Sequence, residues 1–352
     1  METLYADRIQ SAAMPQKSIR ELRRKSVALP PRNGHPLAQH SSLDCNQAPS
    51  ERLVLKIAES REELEACFAV LHDAYVESGF MKPHPSGLRV TVYHALPSTT
   101  MLCAKFDGWV VGTVSLIREN ALGFPMQRIF DLSTVREKGG QIAEVSALAI
   151  HPKFRRTSGS ILFPLMKTIC EYCTTVFDIR HLVIAVNPRH IELYESLLFF
   201  RRLTANPVEN YDFANGAAAV GATLDIRQAC EELRAHYASK PASGNLYDYF
   251  TQISLANIKL PDRGAYANGD PALPPELLDY FFNVRTRVFD NLDEHQTAIL
   301  HSIYHRPEYG AVLPPLTGKL GRMRTQPGSA ARGKRHNASL SSATGLEQPA
   351  PG

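Results

Sequence analysis

Glu144 is the one charged residue in the run Ile142-Ala143-Glu144-Val145-Ser146-Ala147-Leu148-Ala149-Ile150. That run has the apolar bulk of a buried strand. A carboxylate taken out of water there rises in pKa toward neutrality, where it can accept and return a proton. Ser146 shares its strand face and can hydrogen-bond an amine or a bridging water. Next comes Arg155-Arg156-Thr157-Ser158-Gly159-Ser160, which stands ahead of a helical pattern. The first N–H groups of a helix lack partners within it and, with the helix dipole, attract anions. Gly159 lets the backbone approach a phosphate, and the two arginines add positive charge. A second apolar run ends at Asn187-Pro188, and Tyr194 follows seven residues after Asn187. A phenol so placed can protonate a departing thiolate. A base, an anion site and a proton donor, in this order, suit acyl transfer from a phosphate-bearing thioester to an amine. The base is needed because an ammonium cannot attack.

These groups need a scaffold, and the chain supplies a strand–loop–helix–strand–helix order from Ile142 to Tyr194. Upstream, Leu53 to Ile57 reads as a strand. Arg61 to Tyr75 has helical spacing, with Ser60 as N-cap and Glu63 completing a capping box. Residues 78–97 form a long loop broken by Gly79, Pro83, Pro85 and Gly87 and carrying Arg89 and His94. Met101 to Phe106 and Trp109 to Ile117 form a hairpin around Asp107-Gly108, a pair suited to a type I′ turn. Residues 128–138 read as a short helix. Downstream, Pro207 to Phe213 and Ala217 to Ile226 read as paired strands, and Arg227 to Tyr237 and Asn245 to Leu255 as helices. A surface loop over 259–275 leads into a helix through Val288, and Leu292 to Tyr304 is a last amphipathic helix. There are no internal repeats.

The chain has 352 residues, 44% of them hydrophobic, ample for a packed core. No apolar run reaches the roughly 18–20 residues of a membrane span, and no secretory signal pattern opens the chain. The expectation is a soluble cytoplasmic protein. The overall charge of +4 is uneven: residues 1–50 carry +3, residues 317–352 carry +5, and residues 51–316 carry −4. The basic pI therefore comes from the ends, which gives no ground for nucleic-acid binding by the folded part. The expected organisation is a basic disordered tail over 1–50, a core over 51–238, a helical extension packed on it over 239–313, and a second disordered basic tail over 314–352. The six cysteines are scattered. Cys170 and Cys173 form a CxxC inside a helical pattern without a second pair, and read as reduced thiols rather than a metal site.

The acid-bearing strand EVSALAIHP, the loop from Arg156 to Ile161 and the segment from Asn187 to Tyr194 resemble the GNAT acyltransferase superfamily. The departures are Ile161 at a position for a small residue and His190 at a position for alanine. A closer resemblance spans residues 52–310. KPHPSGLRVTVYHALP, the GT of VVGTVSLI, GFPM, AEVSALAIHP, VNPRHIELYESLLFF and LLDYFFNVRTRVFDNL are similar to the long-chain N-acyl amino acid synthases. These are GNAT relatives akin to the acyl-homoserine-lactone synthases.

The resemblance implies a mixed α/β (α+β) fold: a mostly antiparallel central sheet flanked by helices, with an added C-terminal helical region. It implies a long-chain fatty acyl donor on the phosphopantetheine of acyl carrier protein, a free amino acid as acceptor and no tightly bound cofactor or metal. Glu144 is then the base, Tyr194 the acid and Ser146 their helper. Ala147, Ala149, Arg155, Arg156, Thr157, Ser158, Gly159, Ser160 and Asn187 hold the thioester and its phosphate. Arg89 and His94 are the candidates for the acceptor's carboxylate. Lys153, Arg155, Arg156, Lys167 and Arg189 are candidate docking charges for the acidic carrier protein. Phe199, Phe200, Phe281 and Phe282 read first as core aromatics, with the lining of an acyl tunnel as the functional alternative. Two alternatives stand beside this: transfer from acyl- or acetyl-coenzyme A, and a non-catalytic module that binds carrier protein.

Overall fold

The computed structural model describes residues 51–155, 159–241, 244–261 and 273–316. The expected tails lie outside the described residues, apart from 314–316. In chain order the elements are β1 (Leu53–Ile57), α1 (Arg61–Glu77), β2 (Thr99–Phe106), β3 (Trp109–Arg118), α2 (Ser133–Arg136) and β4 (Gln141–Ile150). Then follow α3 (Leu162–Thr175), β5 (Ile179–Val186), α4 (Ile191–Leu198), β6 (Arg201–Arg202), β7 (Val208–Tyr211) and β8 (Ala217–Asp225). The C-terminal part holds α5 (Ile226–Tyr237), α6 (Leu246–Thr251), β9 (Ile258–Lys259), α7 (Pro275–Asp279) and α8 (Glu294–Ile303).

The strands form one sheet in the order β6-β8-β5-β4-β3-β2-β1-β9, with β7 also paired to β8. Pairing is antiparallel except for β4 with β5 and β1 with β9. This is a mixed, mostly antiparallel sheet, flanked by helices on both faces. One apolar core joins α1, the loop around Leu88 to Leu96, and Leu278, Phe281, Phe282 and Leu300 from the C-terminal helices. The other, on the opposite face, packs α3, α4 and α5 against the sheet. The C-terminal helical region thus completes the first core.

Local chemistry explains most of these elements. Asp107 and Gly108 have φ of 50° and 81°, the left-handed pair that a tight hairpin turn requires. Ser60 caps α1 by accepting from the N–H of Glu63 at 3.2 Å. The reciprocal half of the expected capping box is replaced. Lys56 and Lys105 each donate to the Glu63 carboxylate at 2.7 Å. These donors hold it down at about 2 despite its burial.

The C-terminal helix departs from expectation. It does not run from Pro275 to Val288 as one α-helix. Its α-part ends at Asp279, and Tyr280–Arg285 widens into a π turn. Thr286 donates to the carbonyl of Phe281 at 2.6 Å, and Arg287 turns left-handed at φ 54°. The wider turn places the adjacent Phe281 and Phe282 both in the core, each fully buried. Residues 128–138 likewise hold only the single turn α2, preceded by a 3₁₀ turn over Pro125–Arg128.

Candidate active site

The site forms where β4 leaves its neighbour. β4 pairs with β5 only from Gln141 to Glu144, while β5 continues along β8 as far as Val186. Beyond Glu144, β4 holds only to β3, so the two parallel strands part. At the same place β4 bulges. Ser146 stands opposite Ser115 and Ala149 opposite Thr113, which leaves Ala147 and Leu148 facing Val114 alone. Ala147 takes φ 54°, a left-handed conformation that alanine rarely adopts. Alternation is interrupted accordingly. Val145 and Leu148 pack into the core on the α3 side, while Ala147 and Ala149 belong to the opposite one.

Glu144 is 1% exposed. Burial pushes its carboxyl up to about 8, against hydrogen bonds from the Met126 N–H at 3.0 Å and from Ser146. Tyr75, Tyr93 and Tyr211 gather around it. Their phenols are raised chiefly by burial, and the Glu144 charge adds to each. Arg89 completes this wall. Its guanidinium lies 3.9 Å over the Tyr75 ring and 5.0 Å from that of Phe213, and it donates to the Phe213 carbonyl at 2.7 Å. His94 is held in place by the Thr91 N–H, which donates to its Nδ1 at 3.0 Å. Burial and the neighbouring Arg89 push His94 down to about 3, so it is uncharged at neutral pH. Of the two candidates for a carboxylate, only Arg89 is a cation there.

Tyr194 lies on the far side of the sheet. It lines a cavity of about 490 Å³ together with Val145 and Leu148. That volume is in the range of small-molecule sites. The cavity runs between the sheet and α3, α5 and α6, past Ile184, Leu182 and Leu224, and its lining is mainly apolar. Burial, with Tyr75 nearby, raises the Tyr194 phenol to about 12. Glu144 and Tyr194 thus lie on opposite faces of the sheet.

At the start of α3, Ile161 occupies the N-cap and makes no side-chain cap hydrogen bond. Gly159 has φ 81°, and a Cβ there would run into the Phe163 ring, so both backbone and space favour glycine. Ser160 is exposed. Arg156, Thr157 and Ser158 lie outside the described residues. Arg155 donates to the Ile150 carbonyl at 2.8 Å and to Glu77 at 2.7 Å. Asn187 shapes the turn into α4, its Oδ1 accepting from the Arg189 N–H at 3.1 Å.

One expectation is corrected, and for Phe281 and Phe282 the core reading holds over the tunnel. Lys167 is no surface docking charge: it is 1% exposed and lines the cavity. The helical face was misjudged because its neighbours Phe163, Leu165 and Ile169 are also buried, leaving the lysine no route to solvent. Phe281 and Phe282 line no tunnel, since they pack in the first core, across the sheet from the cavity. Phe200 does line the cavity, whereas Phe199 packs edge-on against His236 at 5.7 Å. Cys170 and Cys173 are thiols raised by burial, Cys170 to about 12. Among the described residues no group of three metal-ligating side chains occurs. The sequence reading missed Met126, Tyr75, Tyr93 and Tyr211. The turn GFPM signals the first, but nothing local marks the tyrosines as converging.

Residues 66–225 match the family model of the N-acyl amino acid synthase FeeM. The chain is an acyltransferase. The matched FeeM stretch includes Arg89, His94, Glu144, Ser146 and Tyr194. The structure of FeeM from uncultured soil microbes is 24% identical, covers 51% of this chain and 94% of its own, and aligns with a TM-score of 0.44. BjaI, a coenzyme A-dependent acyl-homoserine lactone synthase, is 20% identical over 60% of this chain and 94% of its own, with a TM-score of 0.43. A GNAT-family acetyltransferase from Streptococcus pneumoniae is 15% identical over 49% of this chain and 99% of its own, with a TM-score of 0.36. Among curated proteins no match to this chain was found. Among the described residues no helix is long and apolar enough to cross a membrane.

Proposed function

We propose that this acyltransferase moves a long-chain fatty acyl group from the thioester of acyl carrier protein to the amine of a free amino acid. One observation carries the reading. A buried carboxylate with a pKa near 8 lies on one face of the parted strands, and a large apolar cavity lies on the other. An amine and a hydrocarbon tail need these two environments, on either side of one reacting carbonyl.

In this reading the pantetheine arm enters between β4 and β5, with its phosphate toward the start of α3. The thioester carbonyl accepts from main-chain N–H groups of the bulged Ala147–Ala149 segment. The bulge leaves such groups without a place in the ladder. The amino acid lies against Arg89, which takes its carboxylate, and Ser146 orients the amine or a water. Glu144 removes a proton, directly or through that water. The amine then adds to the carbonyl, and as the C–S bond breaks Tyr194 protonates the thiolate and takes up the proton that the nitrogen loses. The acyl tail occupies the cavity beyond Tyr194. The related FeeM is described as an N-acyl amino acid synthase, which supports the acceptor; BjaI is described as coenzyme A-dependent, so that donor is the competitor in the test.

Purified protein supplied with long-chain acyl carrier protein and mixed amino acids is expected to give N-acyl amino acids by mass spectrometry. Parallel reactions with acyl-coenzyme A separate the donors. Absence of amide with every donor and acceptor would overturn the proposal.

A further inference from the structure

Residues 275–304 lie beyond the matched stretch 66–225, yet two of their side chains reach back to the loop that carries Arg89. Arg285 donates to the carbonyl of Ser86 at 3.1 Å. Tyr304, 2% exposed, donates to the carbonyl of Ala95 at 2.6 Å. Arg89 and Tyr93, both in the wall around Glu144, stand between these two anchors. The first anchor depends on the π turn. Arg285 stands five residues after Tyr280, about 1.4 turns of an α-helix, which would point the two apart. The i→i+5 spacing of a π turn brings them to one face. There Arg285 donates to the Tyr280 hydroxyl at 2.6 Å, Tyr280 donates to Glu65 of α1 at 2.9 Å, and Arg285 also bonds Glu65. One end of the guanidinium is thus fixed to α1, and its other nitrogen holds the loop. Ring contacts follow the same route: Phe281 packs edge-on against Phe68 at 5.1 Å, and Phe68 against His94 at 5.0 Å. The main-chain N–H of Arg89 donates to the Phe68 carbonyl at 3.1 Å.

A loop that must present a cation to a small acceptor needs its backbone fixed on both sides of that cation, because a small misplacement weakens a bidentate contact. Resting on the reading of Arg89 as the group that takes the acceptor's carboxylate, we propose that Arg285 and Tyr304 are positioning residues for the amino acid. They clamp residues 86–95 so that Arg89 and Tyr93 face Glu144. The acyl side is independent of the clamp: among the described residues, none of 275–304 lines the cavity beyond Tyr194. Loosening the clamp therefore weakens use of the acceptor and spares use of the donor.

The test is steady-state kinetics of the full-length protein with long-chain acyl carrier protein, or acyl-coenzyme A if that is the donor used, and the amino acid most consumed from the mixture. Tyr304→Phe, which loses one hydroxyl, and Arg285→Gln are each expected to raise the acceptor KM about fivefold, the worth of one net hydrogen bond. The donor KM, and kcat at saturating acceptor, are expected to stay close to wild type. Asn283→Ala is the control for a general loss of stability, since Asn283 donates to Asp279 and to the Val312 carbonyl within the C-terminal region. It is expected to lower the melting temperature and leave the acceptor KM unchanged. An unchanged acceptor KM in either folded variant, a donor KM that rises with it, or an equal rise in Asn283→Ala overturns the inference. The Arg285 side chain is 29% exposed, so Arg285→Gln keeps the test open if the buried Tyr304→Phe does not fold. A wild-type protein that forms no amide overturns the acyltransfer scheme and this inference with it. Amide formation with an unmoved acceptor KM overturns the inference alone.

Discussion

The main-chain N–H of Met126 donates to Oε2 of Glu144 at 3.0 Å. This bond joins the 3₁₀ turn Pro125–Arg128 to the strand eighteen residues later and fixes one carboxylate oxygen in place. The donor favours the charged form, yet burial outweighs it and the carboxyl stays near 8. In the proposed scheme, Glu144→Gln keeps the shape of the site and removes the base. Turnover is expected to fall about 10²–10⁴-fold, with a circular-dichroism spectrum matching wild type. Undiminished turnover at neutral pH would remove Glu144 from that role.

The same group sets two pH dependences. In the proposed scheme the base acts in its ionised form, so kcat/KM is expected to climb with pH and reach half its plateau near 8. Stability moves the other way. The native carboxyl titrates near 8 and the unfolded one near its ordinary 4.5. Its contribution is complete below about 4.5 and is lost as pH rises toward 8, at a limiting slope of roughly 1.4 kcal/mol per unit. Glu144→Gln lacks this loss. Its melting temperature is expected to gain on wild type between pH 5 and pH 8, and a gap independent of pH would contradict the assignment.

Ala147 provides a probe of the bulge. At φ 54°, glycine relieves a conformation that costs alanine roughly 1 kcal/mol, while a β-branched residue worsens it. Ala147→Gly is expected to shift the denaturant midpoint little or upward, the relief being offset by the freer unfolded chain. Ala147→Val is expected to lower the midpoint and cost more than about 1 kcal/mol of unfolding free energy, with overpacking of this 9% exposed position adding to the strain. Equal midpoints would mean that the strand does not bulge there in solution.

A plug in the cavity should read out as chain-length selectivity. Ala229 lines the cavity from α5 and is 6% exposed. Ala229→Phe fills space that a long tail needs. The expected outcome is at least a tenfold fall in kcat/KM for long acyl thioesters, with short ones little affected. Equal losses for both lengths would disconnect this cavity from the acyl chain.

Gly159 tests the turn before α3. Alanine there combines a left-handed φ of 81° with a contact against Phe163 that the ring must yield to relieve. Gly159→Ala is expected to cost about 1–3 kcal/mol, by strain and overpacking together. A measurement within error of wild type in urea unfolding would show that the turn adapts freely.

Much of this was legible in the chain because local chemistry and burial agreed. Asp107-Gly108 demanded its hairpin, Ser60 its helix start, and Glu144 among aliphatics its buried position. The bulge was less legible: Ala147 gives no sign of a left-handed residue, and only the register of β3 against β4 reveals it. Lys167 was misplaced because a lysine on an amphipathic helix ordinarily reaches water, and here α6 lies over it. Tyr75, Tyr93 and Tyr211 come from three separate elements, so their convergence on Glu144 is a product of sheet order. The π turn at Tyr280–Arg285 followed from two adjacent aromatics both needing the core, a conflict with the 3.6-residue repeat that was visible in sequence but not resolved by it.

In the proposed scheme, the parting of β4 and β5 has a consequence for turnover. An amide assembled across that opening has its polar head on one side of the sheet and its tail on the other, like a thread through an eyelet. It can leave only by pulling one end back through the opening. The longer the tail, the more of it must slide past Tyr194 before the next donor enters. Exit of the finished molecule, more than the making of its bond, is then the step that chain length governs.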